Sequence, residues 1–126
     1  MINSLLIFIG CGIGGLLRYW VANGTYYWTV GRTFPYGTLI VNTTGSFLMG
    51  FLFIIILERF SNIAPQLRAF LLIGLLGGYT TFSSFSIETI NLFEQGELFK
   101  ALLNIGLSVI LCVGAAWAGV ILGRHL

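Results

Sequence analysis

Gly74-Leu75-Leu76-Gly77-Gly78-Tyr79-Thr80-Thr81-Phe82-Ser83-Ser84-Phe85-Ser86-Ile87-Glu88 is the stretch that decides how this chain folds. It sits inside the third of four long apolar segments, yet it is dense in hydroxyls and carries an acid at its end. Facing lipid, those hydroxyls would be costly to bury without partners. Irregular backbone at membrane depth is tolerated only where it is buried in protein or lines a water-filled cavity. The stretch therefore belongs at the centre of an assembly, as two helical pieces joined by an unwound segment near Gly77 to Thr80.

Working outward, the rest of the chain is membrane-like. Of its 126 residues, 57% are hydrophobic and 8% charged, against about 25% charged in an ordinary soluble domain. A span needs about 20 apolar residues, and the chain has room for four, covering 5–22, 37–57, 67–92 and 98–122. Pro35 and Pro65 precede the second and third, Glu58-Arg59 closes the second, and Glu94 to Glu97 separates the last two. The loop between the first pair, Asn23 to Phe34, holds Tyr26, Tyr27 and Trp28, residues suited to the membrane interface. The expected fold is all-α and integral to the membrane, one four-helix domain over residues 1–126 with its third helix broken. Ser4 to Ala22 lacks the charged n-region of a signal peptide, and is read as a retained span.

The six basic residues, Arg18, Arg32, Arg59, Arg68, Lys100 and Arg124, are scattered singly, which gives no nucleic-acid footprint. With four spans, Arg59, Arg68 and Arg124 lie near one face, while Arg32 and Lys100, with Arg18 if it snorkels, lie near the other. Lysine and arginine excess sets membrane orientation, and here there is no excess. Such a chain inserts both ways, so two copies of opposite orientation can pair about a two-fold axis in the membrane plane.

Polar residues on each helix are the candidate site. On the first, Gly10, Gly14 and Arg18 recur at four-residue spacing; the small ones let backbones approach. Arg18 either snorkels to anchor the helix end or places a cation at the mouth of an aqueous vestibule. On the second, Thr38, Asn42, Gly45, Ser46 and Met49 form one small, polar face. The Asn42 amide either glues helices or donates hydrogen bonds to an anion. On the third, Phe82 and Phe85 share a face, flanked by the hydroxyls of Thr81 and Ser83. Paired rings are ordinarily core, but a ring edge carries partial positive charge and can hold a small anion. Glu88 follows, an intramembrane acid and so a functional candidate, or else a partner for Arg18. The fourth carries Asn104, Ser108 and Cys112, a narrow polar track or a packing seam. Cys11 and Cys112 have no metal or redox spacing and read as small packing residues. There is no P-loop, no aspartate, and a single histidine at the penultimate position, His125; an enzyme is not indicated.

These residues carry a resemblance. The chain is similar to the Fluc (CrcB) family of fluoride channels over essentially its whole length, through Gly10 to Arg18, Pro35-Tyr36-Gly37-Thr38-Leu39-Ile40-Val41-Asn42-Thr43-Thr44-Gly45-Ser46-Phe47, and above all Gly74 to Glu88. The resemblance implies a multi-pass protein of the bacterial inner membrane, an antiparallel dual-topology homodimer with two fluoride pores. It implies that Phe82 and Phe85 form the phenylalanine box, that Asn42 is the pore asparagine and Arg18 the vestibule arginine. It further implies that the backbone carbonyls of Gly77 and Thr80 bind a central structural Na⁺, and that Ser108 belongs to the polar track. Asn104 and Cys112 depart from the tyrosine and serine that some members carry there. The competing reading is a small multidrug-resistance-type exporter, also a short four-helix chain, but that family places an acid in its first helix and this chain has none.

Overall fold

The computed structural model describes residues 1–126, and every regular element in it is helical. Helix α1 is Ile2–Tyr26 and α2 is Tyr36–Arg59. A short 3-10 turn, Ser61–Ile63, leads into α3, which covers 64–79. Helix α4 is Phe82–Glu94, and α5 is Leu98–His125. Four helical segments, Ile2–Tyr26, Tyr36–Arg59, Ser61–Glu94 and Leu98–His125, are long and apolar enough to cross a membrane. At 1.5 Å per residue, a 25-residue helix reaches about 37 Å, which exceeds a hydrocarbon core of about 30 Å.

Breakers set the boundaries. Pro35 stands at the N-cap of α2, and Pro65 occupies the first turn of α3, where a missing N–H costs nothing. The connections between α1 and α2 and between α4 and α5 turn on Gly31 and Gly96, the two residues with positive φ, a conformation that glycine adopts without strain. The two connections are also tied together. Glu97 accepts from the Thr33 hydroxyl at 2.8 Å and pairs with Lys100 at 2.9 Å, and Lys100 also donates to Thr33 at 2.7 Å. The Lys100 ammonium, and then the Thr33 hydroxyl, hold the Glu97 carboxyl below its ordinary range.

Only 20 of the 126 residues are buried, and large apolar side chains such as Phe8, Ile110 and Trp117 stand exposed. A soluble domain would bury such side chains, whereas lipid accommodates them outside. Inside, the contacts are backbone-close. Helix α1 packs chiefly on α3, and α2 on α5. A Cβ on Gly14 would collide with the Leu75 carbonyl, one on Gly78 would lie 2.6 Å from the Cys11 carbonyl, and one on Gly119 would collide with the Phe47 carbonyl. Lipid tails are as apolar as leucine, so close van der Waals packing of this kind is what holds membrane helices together.

The third span carries two irregularities. Residues Arg68–Leu76 wind wide, as a π-helix, for which the sequence offered no cue. Then Thr80 (φ −80°, ψ 157°) and Thr81 (φ −152°, ψ 116°) are extended between α3 and α4. The expected unwinding began at Gly77, but Gly77–Tyr79 is helical. Gly77 and Gly78 therefore do not loosen the backbone, and Gly78 instead admits the Cys11 backbone of α1.

Candidate functional site

Two extended residues leave backbone groups without helical partners, and α2 supplies the replacement. Asn42 accepts from the Thr81 N–H at 2.8 Å through Oδ1 and donates to the Thr81 carbonyl at 2.9 Å through Nδ2. The Thr81 N–H is thus drawn away from the Gly77 carbonyl, the acceptor it would have in a continuous helix. Room for this approach comes from Gly45, where a Cβ would collide with the Thr80 methyl and lie 3.1 Å from the Tyr79 ring. Tyr79 is fixed in turn by its hydroxyl, 2.9 Å from that of Thr44. Past the break, the Thr81 hydroxyl accepts from the Ser84 N–H at 3.1 Å, capping α4. This is the usual way for a threonine to satisfy one of the orphan donors of a helix start.

Thr81 borders two cavities. One, of about 390 Å³, is lined by Asn42, Thr80, Phe82, Phe85, Ser108 and Cys112 among others. Phe82 and Phe85 are paired at 5.3 Å between ring centroids with their planes 51° apart, a tilted arrangement. Phe82 is 79% exposed, so this cavity opens on the surface of the single chain. The second, of about 420 Å³, is lined by Arg18, Asn23, Thr38, Thr81, Ser84 and Glu88. Here the Thr38 hydroxyl donates to Glu88 Oε1 at 2.7 Å, while Glu88 Oε2 is buried without a partner in the chain.

Arg18 reaches the break as well, donating from Nη1 to the Thr80 carbonyl at 3.3 Å. It makes no ion pair with Glu88: the one salt bridge in the chain is Lys100 to Glu97. Its half-buried guanidinium instead faces the second cavity and the carbonyl that the broken helix leaves free. The fold thus brings the sequence candidates Arg18, Asn42, Thr81, Phe82, Phe85 and Ser108 to one region, on the two cavities that share Thr81. Ser83 stands 3.2 Å from the Thr81 hydroxyl but is exposed and lines neither cavity. Asn104 lies apart, 1% exposed and hydrogen-bonded to Thr89. The Thr38 to Glu88 bond is not evident from the sequence, although Thr38 lies on the polar face that contains Asn42.

The arrangement can receive a small anion. Hydroxyls, an amide and two aromatic rings line the first cavity beside apolar side chains such as Val109 and Val113, and no charged side chain lines it. A guanidinium marks the second. Residues 5–120 match the model of the CrcB-like protein, Camphor Resistance (CrcB) family. The chain belongs to this family. A CrcB-family relative from Coxiella burnetii, the fluoride-specific ion channel FluC, is 62% identical over 124 residues, covering 98% of this chain and 99% of that one. Proteins of the same name are 47% identical in Magnetococcus marinus, over 92% of this chain and 93% of the relative, and 45% identical in Geobacter sulfurreducens, over the full length of both.

Proposed function

We propose that this CrcB-family chain is a fluoride-selective channel that lets fluoride leave the cytoplasm down its gradient, as an antiparallel homodimer with two pores in the bacterial inner membrane. The observation that carries this reading is the first cavity. Fluoride is small and strongly hydrated, so a path through the membrane must replace its water with donors. Ser108 offers a hydroxyl, Asn42 keeps a second amide N–H beyond the one given to Thr81, and Phe82 and Phe85 offer ring edges, while the Thr81 hydroxyl gives its proton to Ser84 within the chain. Neutral donors hold an anion without trapping it, which conduction requires. Arg18 raises the local concentration of anions at the entrance of the second cavity. Relatives named as fluoride-specific channels support the choice of ion.

A second copy closes the first cavity. The exposed Phe82 ring and the exposed Gly77, whose Cβ position meets nothing nearer than 3.8 Å within the chain, lie where a partner can come close. Balanced basic residues favour that partner being inverted.

A structural Na⁺ fits the chemistry of the break. The Gly77 carbonyl has lost the Thr81 N–H, and the Thr80 carbonyl, with two lone pairs, accepts one long bond from Arg18. Carbonyls of both residues from two copies would hold the ion, which supplies a fixed positive charge beside an anion path in a low-dielectric setting. Growth of a bacterial strain stripped of its own fluoride export tests the proposed role in the cell. Expression of this chain restores growth in fluoride; no rescue by protein that is present in the membrane contradicts the proposal.

A further inference from the structure

Asn104 has no part in either cavity, yet it is among the most thoroughly buried polar side chains of the molecule. Its Nδ2 donates to the Thr89 hydroxyl at 2.9 Å, and that hydroxyl donates its own proton to the Phe85 carbonyl at 2.7 Å. Thr89 is itself buried, at 6% exposure. The chain of bonds is ordered by its protons: the threonine O–H is committed to Phe85, so its lone pair is what Asn104 can reach, and each bond polarises the next. It is also the only hydrogen bond between a side chain of α4 and a side chain of α5.

Helices α4 and α5 are joined by a tight turn through Gly96. One turn back along α4 from Thr89 is Phe85, and one turn forward along α5 from Asn104 is Ser108. Both line the first cavity. The Asn104 and Thr89 pair is thus the rung next to the Phe85 and Ser108 pair. The turn constrains the near end of the pair; beyond it, between two apolar helices in lipid, little else distinguishes one register from another, and a single buried, hydrogen-bonded asparagine is a known way to fix register.

We propose that Asn104 is a positioning residue, which through Thr89 fixes the register of α4 on α5 and so sets the Phe85 ring against Ser108 in the ion path. The inference rests on the fluoride-channel reading and adds to it a residue that need not touch the ion.

Unitary fluoride currents of purified protein in planar bilayers test it, because a purely structural loss lowers the number of channels and leaves the current through each one unchanged. The variants are Asn104→Leu, the near-isosteric Thr89→Val, the hydroxyl-preserving Thr89→Ser, and Leu92→Ala, a buried site on α4 outside the hydrogen-bond chain. Misplacing a group by about 1 Å can cost two orders of magnitude in rate; on that scale Asn104→Leu and Thr89→Val lower the unitary current by about tenfold or more, and Thr89→Ser stays within about twofold. Leu92→Ala lowers the melting temperature and leaves the unitary current alone. Should Asn104→Leu fail to fold, Thr89→Val decides. Unitary currents in Thr89→Val equal to those of the wild type overturn the inference. A wild-type protein with no fluoride current overturns the channel reading itself, and the inference with it.

Discussion

Asn42 holds Thr81 by both of its backbone groups, accepting from the N–H at 2.8 Å and donating to the carbonyl at 2.9 Å. A side-chain amide carries a donor and an acceptor on one planar group, and here it stands in for the helix that the chain gives up at Thr80 and Thr81. The pair also lies where the two cavities meet, since Thr81 lines both and Asn42 lines the first. Asn42 therefore supports the fold and, on the proposed function, the ion path as well.

Replacing Asn42 consequently costs stability as well as flux. Asn42→Ala orphans two backbone groups, each worth about 1–3 kcal/mol when left unsatisfied. Asn42→Asp retains an acceptor for the Thr81 N–H but sets a carboxylate oxygen against the Thr81 carbonyl, and is expected to be at least as damaging. Thermal unfolding in detergent reads the first effect and fluoride efflux the second. An unchanged melting temperature with abolished flux would mean that the amide serves the ion alone.

On the proposed function, Phe82 and Phe85 are expected to act through their ring edges, not their bulk. Phe82→Ile and Phe85→Ile keep the apolar volume but remove the positive edge. Fluoride flux collapses in both, while each protein still elutes as a single species of unchanged size. Normal flux in either variant would make that ring a packing residue.

On the proposed function, the balance of basic residues sets the topology. Reporters fused to the C-terminus are expected on both sides of the membrane, and two or three lysines added to one face are expected to fix a single orientation. A wild-type reporter confined to one side would exclude the inverted pair.

Among the glycines, contact geometry separates essential from replaceable. A Cβ at Gly14 collides with the Leu75 carbonyl, whereas one at Gly12 meets nothing within 4 Å. Gly14→Ala is expected to cost about 1–3 kcal/mol by forcing α1 and α3 apart. Gly12→Ala, in the same helix, should be neutral or gain about 0.5–1 kcal/mol through helix propensity. Chemical denaturation of the two variants side by side checks the contrast.

The four spans were legible because apolar runs of about 20 residues match the thickness of a bilayer core. Their ends were not, since a helix continues past the last apolar residue for as long as its backbone bonds persist. Helix α1 runs on through Asn23 to Tyr26 for this reason. In the third span the hydroxyls and glycines suggested an unwound stretch near Gly77 to Thr80, whereas Gly77–Tyr79 is helical and only Thr80 and Thr81 are extended. Gly78 is spent on the close approach of α1, and the partner that releases the backbone, Asn42, lies 39 residues upstream of Thr81. Pairing across helices was the least legible feature. Arg18 and Glu88 look complementary in sequence, yet Thr38 reaches Glu88 and Arg18 reaches the Thr80 carbonyl. Asn104 read equally as part of a polar track or of a packing seam, and its contact with Thr89 places it in the interior.

The central claim is selective passage of fluoride, and the most direct measurement is ion efflux from liposomes that contain only the purified protein. Vesicles loaded with potassium fluoride or potassium chloride are made permeable to potassium with an ionophore, and the external anion is followed with an ion-selective electrode. The account predicts rapid release of fluoride and retention of chloride, with fluoride release lost in Phe82→Ile. Release of both anions at similar rates, or of neither from vesicles shown to contain folded protein, would contradict it.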